Sequence, residues 1–199
     1  FYVLRDEETL LPYKLFRHEI GTSQEQDALV YEEKDTTFYL SVGNTRSMGY
    51  VEINISSSTS SEVRLIKSNN PEMEPEIFLT REEDHLYSVD HDPASSRFLI
   101  ESNWKATNFR LLETELYDLR DKEKWKELIP HRDEVLLQSV IPFPNHLVVM
   151  ERENGLRNIK ILEKNSQSVK TINFNDPTYT AYLASNPEYD NDRFYFGYS

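Results

Sequence analysis

The chain has no cysteine among its 199 residues. That excludes a disulfide framework, a thiolate metal site and a cysteine nucleophile. It is compatible with a reducing compartment, and a cytoplasmic location is the expectation. Glycine is scarce, with five in all. A serine nucleophile of the α/β-hydrolase type needs a strained strand-to-helix elbow of the form Gly-x-Ser-x-Gly, and none occurs. There is also no Gly-rich phosphate loop, no His-Glu-x-x-His pair and no acidic calcium loop. No metal or other cofactor is implied. No apolar run approaches membrane-spanning length, so no membrane partner is expected. Positive charge is in deficit: 22 Lys and Arg stand against 35 Asp and Glu, a formal net charge of −13. Such a chain repels phosphate, and nucleic acid is not an expected partner. The charge serves solubility. Placed near a ligand's path, it would also steer basic peptides.

What is present is a repeating pattern of strands. Twelve Tyr and ten Phe suit strands buried on one face. An apolar anchor recurs about every 48 residues, the period of a β-propeller blade. The anchors are Phe1-Tyr2-Val3, Gly49-Tyr50-Val51, Arg97-Phe98-Leu99, His146-Leu147-Val148 and Arg193-Phe194-Tyr195. Partner strands begin near Tyr13, Glu62, Asn108 and Asn158. Val51, Ile53 and Ile55 alternate with Glu52, Asn54 and Ser56, a period of two that argues strand over helix. With blade strands lettered a to d from the axis outward, the anchors are b and their partners c. Strand d falls at Ala28–Glu32, Glu76–Thr80, Trp125–Ile129 and Val169–Phe174. Strand a falls at Phe38–Val42, Leu86–Asp90, Leu136–Val140 and Tyr179–Leu183. The fold class predicted is all-β: antiparallel four-stranded blades, about four blades' worth of a propeller, residues 1–199 forming one partial propeller domain.

Turn residues fall between these strands, as at Asn69-Asn70-Pro71, Asp92-Pro93, Glu153-Asn154-Gly155 and Asn175-Asp176-Pro177. The serine run Ser56–Ser61 reads as a polar b–c hairpin. Leu119–Leu128 allows at most one or two helical turns. Antiparallel pairing puts the b–c and d–a connections at one end of every blade, and these connections are polar and heavily charged. The chain opens at Phe1 inside one strand and closes at Ser199 near another, which reads as two cuts through a larger protein. Unpaired edges left by such cuts favour self-association through edge strands.

Tyr87-Ser88-Val89-Asp90-His91 holds Ser, Asp and His together, but on a strand Ser88 and Asp90 share a face that His91 does not. A nucleophile–base–orienter relay cannot form there. His18, His85, His91, His131 and His146 match no standard metal spacing and read as structural. Glu32-Glu33 and Glu82-Glu83-Asp84 read as solvated charge rather than an acid–base pair. Trp104 and Trp125 read as packing residues.

Leu10-Leu11-Pro12-Tyr13, Phe16–Thr22, Val30–Asp35, Thr59–Arg64, Tyr87–His91, Asn108–Leu111, Glu127–Arg132, Glu151-Arg152 with Gly155-Leu156, and Phe196–Ser199 run in order along the chain. Together they resemble oligopeptidase B (protease II), of the prolyl oligopeptidase family of serine peptidases. The resemblance implies a seven-bladed propeller paired with a C-terminal α/β-hydrolase domain, and cleavage of short peptides after Lys or Arg. It implies that the propeller limits substrate access, and that the catalytic residues lie in the hydrolase domain, outside this segment. The expected partners are that domain and basic peptides. No catalytic residue is assigned here. Asp90, His91, His131, Arg132, Glu151 and Arg152 are the candidates for bordering the substrate path or meeting the second domain. The segment alone is expected to be inactive. The alternative reading is a stand-alone propeller scaffold for protein–protein binding, whose Trp-Asp and kelch signatures are missing from the sequence.

Overall fold

The computed structural model describes residues 1–166 and 168–199. Two compact units divide it, Phe1–Ser88 and Val89–Ser199. In the first unit, β1 (Tyr2–Arg5), β2 (Pro12–Arg17) and β3 (Ala28–Glu32) form a three-stranded sheet in that order. β4 (Tyr39–Asn44), β5 (Tyr50–Ser56), β6 (Ser61–Lys67) and β7 (Glu76–Leu79) form a four-stranded one. All neighbours are antiparallel. The period-two pattern of β5 is obeyed: Val51, Ile53 and Ile55 are buried and their neighbours are not. They pack with Leu15, Phe38, Leu40 and Ile66 into one core joining the two sheets. The serine run is the predicted hairpin, with Ser56 opposite Ser61.

β8 (Tyr87–Asp92) leads into the second unit. With β9 (Arg97–Ser102), β10 (Arg110–Thr114) and β11 (Lys126–Ile129) it makes a sheet in the order β11-β10-β9-β8. β12 (Val135–Pro142), β13 (His146–Glu153), β14 (Leu156–Glu163) and β15 (Val169–Thr171) make the next, and β16 (Ala181–Leu183) pairs with β17 (Phe196–Tyr198). Leu99 and Leu111 pack against Leu137, Val140, Leu147 and Val149, joining the first two of these sheets. Phe143, Val148, Ile159 and Ala181 join the second to the third. Asn154 and Gly155 close the β13–β14 hairpin as a two-residue loop, with φ of 49° and 82°. A type I′ turn needs positive φ at both positions, which Asn-Gly supplies at least cost.

Sequential strands a to d therefore form the sheets as expected, with differences at the margins. The last anchor was expected at Arg193–Tyr195, but pairing begins at Phe196. Tyr195 is instead engaged by Asn186, whose Oδ1 accepts the Tyr195 N–H at 2.7 Å. The outer strand expected over Val169–Phe174 stops at Thr171, and Ile172 and Phe174 turn into the core. The region around Trp125 has two short 3-10 turns, Leu116–Asp118 and Lys122–Lys124, so the strand starts one residue late, at Lys126. Trp125 is buried as expected, while Trp104 is partly exposed beneath Lys105, Arg110 and Lys122.

Candidate functional site

The six residues singled out from sequence all lie in the second unit, in two groups. Asp90 and His91 are half-buried on β8. Asp90 accepts the His91 N–H at 2.7 Å, and the His91 ring lies 4.9 Å from that of Phe98. Burial pushes the His91 pKa below the ordinary histidine range, partly offset by the Asp92 charge. Ser88 is exposed on the Asp90 side of the strand, and His91 follows the Tyr87–Val89 side. The strand geometry thus keeps these three apart as a relay.

Beside Asp90 stands a residue that the sequence reading passed over. Glu101 is on β9, on the same face as Leu99, and reaches the next sheet, where its Oε1 accepts the Val140 N–H at 2.8 Å. β12 is the end strand of its sheet, so this amide belongs to an edge with no further strand to pair it. Glu101 caps that edge. Burial raises its carboxyl to about 7, against the Val140 hydrogen bond and with help from the Asp90 charge. The sequence signal is a single acid directly after the apolar run Phe98–Ile100.

The second group sits where β11 passes into β12 and at the end of β13. Glu151 is 2% exposed and is paired with Arg132 and with Lys160 Nζ, the latter at 2.6 Å. Burial alone would raise its carboxyl, but the two cations hold it below the ordinary range. The Asn108 amide donates to the Arg132 and Asp133 carbonyls at 3.3 and 2.6 Å, and the Leu137 N–H donates to Asn108 O at 3.0 Å. A b–c loop thereby splints the neighbouring d–a loop. His131 Nδ1 is 3.8 Å from Asp133 Oδ1. Arg152 is exposed, opposite Leu136 and Arg157 in the ladder, and takes no part in the Glu151 cluster. The structure thus brings Arg132 and Glu151 together, adds Lys160 and Asn108, and leaves Asp90 and His91 to the neighbouring inner strand.

The first unit carries a comparable network at the same kind of strand end. Arg81 donates to Glu33 at 2.6 Å and lies 3.5 Å from Glu62, which binds Arg64 at 2.7 Å. The Tyr31 hydroxyl donates to Glu33 at 2.8 Å. Arg81 lies over the Phe38 ring and Arg64 over Tyr31. Glu33 and Glu62 are buried. Burial would raise the Glu33 carboxyl, but Arg81, the Asp35 N–H and Tyr31 together lower it. Glu32, its chain neighbour, pairs outward with Lys14 at 3.4 Å. The paired carboxylates of the sequence are therefore split between a buried ion network and the surface.

At the opposite strand ends of the second unit, Asp92 is 2% exposed and holds Ser95, Lys164 and Tyr189. Burial would raise its carboxyl, and these three donors outweigh that and hold it low. No local pattern announces this group, because its members lie 72 and 97 residues apart.

The model of the prolyl oligopeptidase N-terminal β-propeller domain matches residues 1–199. The chain is 34% identical over 200 residues to a Dipeptidyl aminopeptidase BI of Pseudoxanthomonas mexicana, covering all of this chain and 27% of that protein. It is 33% identical over 190 residues to a Protease 2 of Moraxella lacunata, covering 96% of this chain and 26% of that protein. Among solved structures, oligopeptidase B from Leishmania major superposes with a TM-score of 0.91 at 26% identity, covering all of this chain and 29% of that one. Oligopeptidase B from Trypanosoma brucei, in a closed form with covalently bound antipain, gives 0.92 at 24% identity, again over all of this chain and 29% of that one. The chain thus spans little more than a quarter of the proteins it matches.

Proposed function

The chain belongs to the prolyl oligopeptidase family, as its N-terminal β-propeller domain, and from that premise we propose that it is the propeller segment of an oligopeptidase B-like serine peptidase. The whole protein cleaves short peptides after Lys or Arg by acyl-enzyme chemistry, in the cytoplasm. The propeller restricts which substrates reach the catalytic centre and docks the C-terminal hydrolase domain through its b–c and d–a connections. The observation that carries this reading is the match of essentially the whole chain to a Protease 2 and to oligopeptidase B structures.

Two physical arguments support the docking side. Four antiparallel strands per blade is an even number, so a chain entering at the start of strand a leaves from strand d at the same end. A domain joined after the last blade is delivered to that end. In the second unit this kind of strand end carries the buried ion cluster around Glu151, and the first unit carries its own, around Glu33 and Glu62, at its own b–c and d–a connections; each holds charged loops in fixed positions. Arg132 and His131 stand there in the second unit, whereas Asp90 and His91 lie further along the inner strand β8, toward Asp92.

The identity to a Dipeptidyl aminopeptidase BI favours a second reading, in which the whole protein removes dipeptides from free N-termini. Full-length protein incubated with N-terminally blocked arginyl, lysyl and prolyl peptides, and with unblocked ones, separates them. The first reading predicts cleavage of blocked arginyl and lysyl peptides, abolished by a serine-directed phosphonate. Release of dipeptides from unblocked peptides alone would select the second, and inertness to the phosphonate would overturn the serine mechanism.

A further inference from the structure

The segment between β16 and β17 is held at both its base and its tip. At the base, the Ala184 N–H donates to Tyr195 O at 3.0 Å, and the Asn186 amide donates to the Ala184 and Tyr195 carbonyls at 2.7 and 2.9 Å. At the tip, the Tyr189 hydroxyl donates to Asp92 Oδ1 at 2.7 Å and accepts the Ala94 N–H at 3.2 Å. Asp92 ends β8, two sheets back. Between them lies the Pro142–Asn145 turn of the middle sheet. That turn is tied to the same carboxylate, because Lys164 Nζ bonds Asp92 Oδ2 at 2.8 Å and Phe143 O at 2.6 Å. The Lys164 ammonium also faces the Tyr189 ring, 5.8 Å from its centre. A loop of the third sheet that reaches the first must cross the second. Ala184–Tyr195 therefore runs across the a–b ends of three successive sheets.

The carboxylate is shared unequally. Ser95 donates to Asp92 Oδ2 at 2.7 Å, and together with Lys164 it keeps the buried charge paired when Tyr189 leaves. Lifting the segment breaks the charge-assisted bond to Asp92 together with the Ala94 N–H bond and the Lys164–ring contact, and leaves no naked buried ion. Among the described residues, the other hydrogen bonds to the Asp92 side chain come from Ser95 in its own turn and from Lys164. The crossing segment is thus fastened by a joint that can open without unfolding the sheets beneath it.

We propose that Ala184–Tyr195 is a size-selecting strap across the a–b ends of these blades, latched by Tyr189 on Asp92. Closed, it covers the a–b ends of the three sheets at the end away from the hydrolase domain; released, it uncovers them and admits longer chains, while Lys164 on Asp92 and the apolar cores keep the sheets joined. The size-selecting role rests on the peptidase reading above, whereas the latch itself does not.

The test uses the full-length protein and its Tyr189→Phe variant, which keeps the ring and removes only the hydroxyl. Hydrogen exchange of the amides at 186–193 is expected to quicken at least tenfold, with β12 and β13 unchanged. The ratio of kcat/KM for a long unstructured arginyl polypeptide to that for a short arginyl peptide is expected to rise severalfold. Unchanged exchange at 186–193 would overturn the latch. Faster exchange with an unchanged ratio would overturn size selection while leaving the peptidase reading in place. Hydrolysis of neither substrate would tell against the peptidase reading, and the exchange measurement would still decide the latch.

Discussion

Glu101, partly buried, and Asp92, buried, are two carboxylates with opposite pH signatures. Glu101 is raised to about 7, by burial first and by the Asp90 charge in addition. An acid whose folded value exceeds its unfolded value of about 4.3 binds its proton more tightly in the folded state. Its contribution therefore favours folding at low pH and is eroded as pH climbs from about 4.3 to 7. Glu101→Gln keeps an acceptor for the Val140 N–H and removes the titration. Urea denaturation should show the variant gaining roughly 1–3 kcal/mol over the parent sequence at pH 8 and little at pH 5; parallel curves would contradict this. Asp92 runs the other way. Its folded value is depressed, so its stabilisation is complete above about 4, the ordinary carboxylate value, and fades as pH falls below that. Asp92→Asn should flatten the acid limb of a pH–stability profile, and an unaltered limb would refute the assignment. A third residue acts by size alone. Gly197 lies opposite Tyr182, and a Cβ there would run into the Tyr182 ring. Tyr182 is half exposed and can swing aside, so Gly197→Ala should cost only about 1 kcal/mol in thermal denaturation.

Among the elements, the connection from β7 to β8 depends on one guanidinium. Arg81 neutralises both Glu33 and Glu62, which are buried, and it covers Phe38. Arg81→Met keeps much of the packing but strands Glu33 and leaves Glu62 to Arg64 alone. The expected loss is about 3 kcal/mol, read by urea denaturation, and Glu33→Gln added to it should restore part of that loss. Strict additivity of the two substitutions would show that the network is not shared. The strands themselves were legible in the sequence because each records its own burial: Val51, Ile53 and Ile55 alternate, and Asn154-Gly155 names its own turn. Margins were less legible wherever a side chain took over from the ladder. Asn186 takes the Tyr195 N–H while the Tyr195 carbonyl still accepts from Ala184, and Trp125 delays β11 while its indole N–H donates to Leu119 O at 3.1 Å.

For the whole molecule, sequence and structure agree on what is repeated and differ on what joins the repeats. Arg132 and Glu151 could be named in advance because charged loops recur at one end of every blade. Glu101, Asp92 and Tyr189 could not, because each acts across sheets and leaves no periodic trace, while Lys160 meets Glu151 from the adjacent strand of the same sheet. The same distinction bears on function. In the function we propose, the blades are a scaffold and the chemistry belongs to the part of the protein that this segment supports. The most direct measurement is the structure of the full-length protein. The account predicts a catalytic domain seated on the b–c and d–a connections, covering Arg132 and its neighbours, with Ala184–Tyr195 left facing solvent. A catalytic domain seated on the Asp92–Tyr189 end would contradict it.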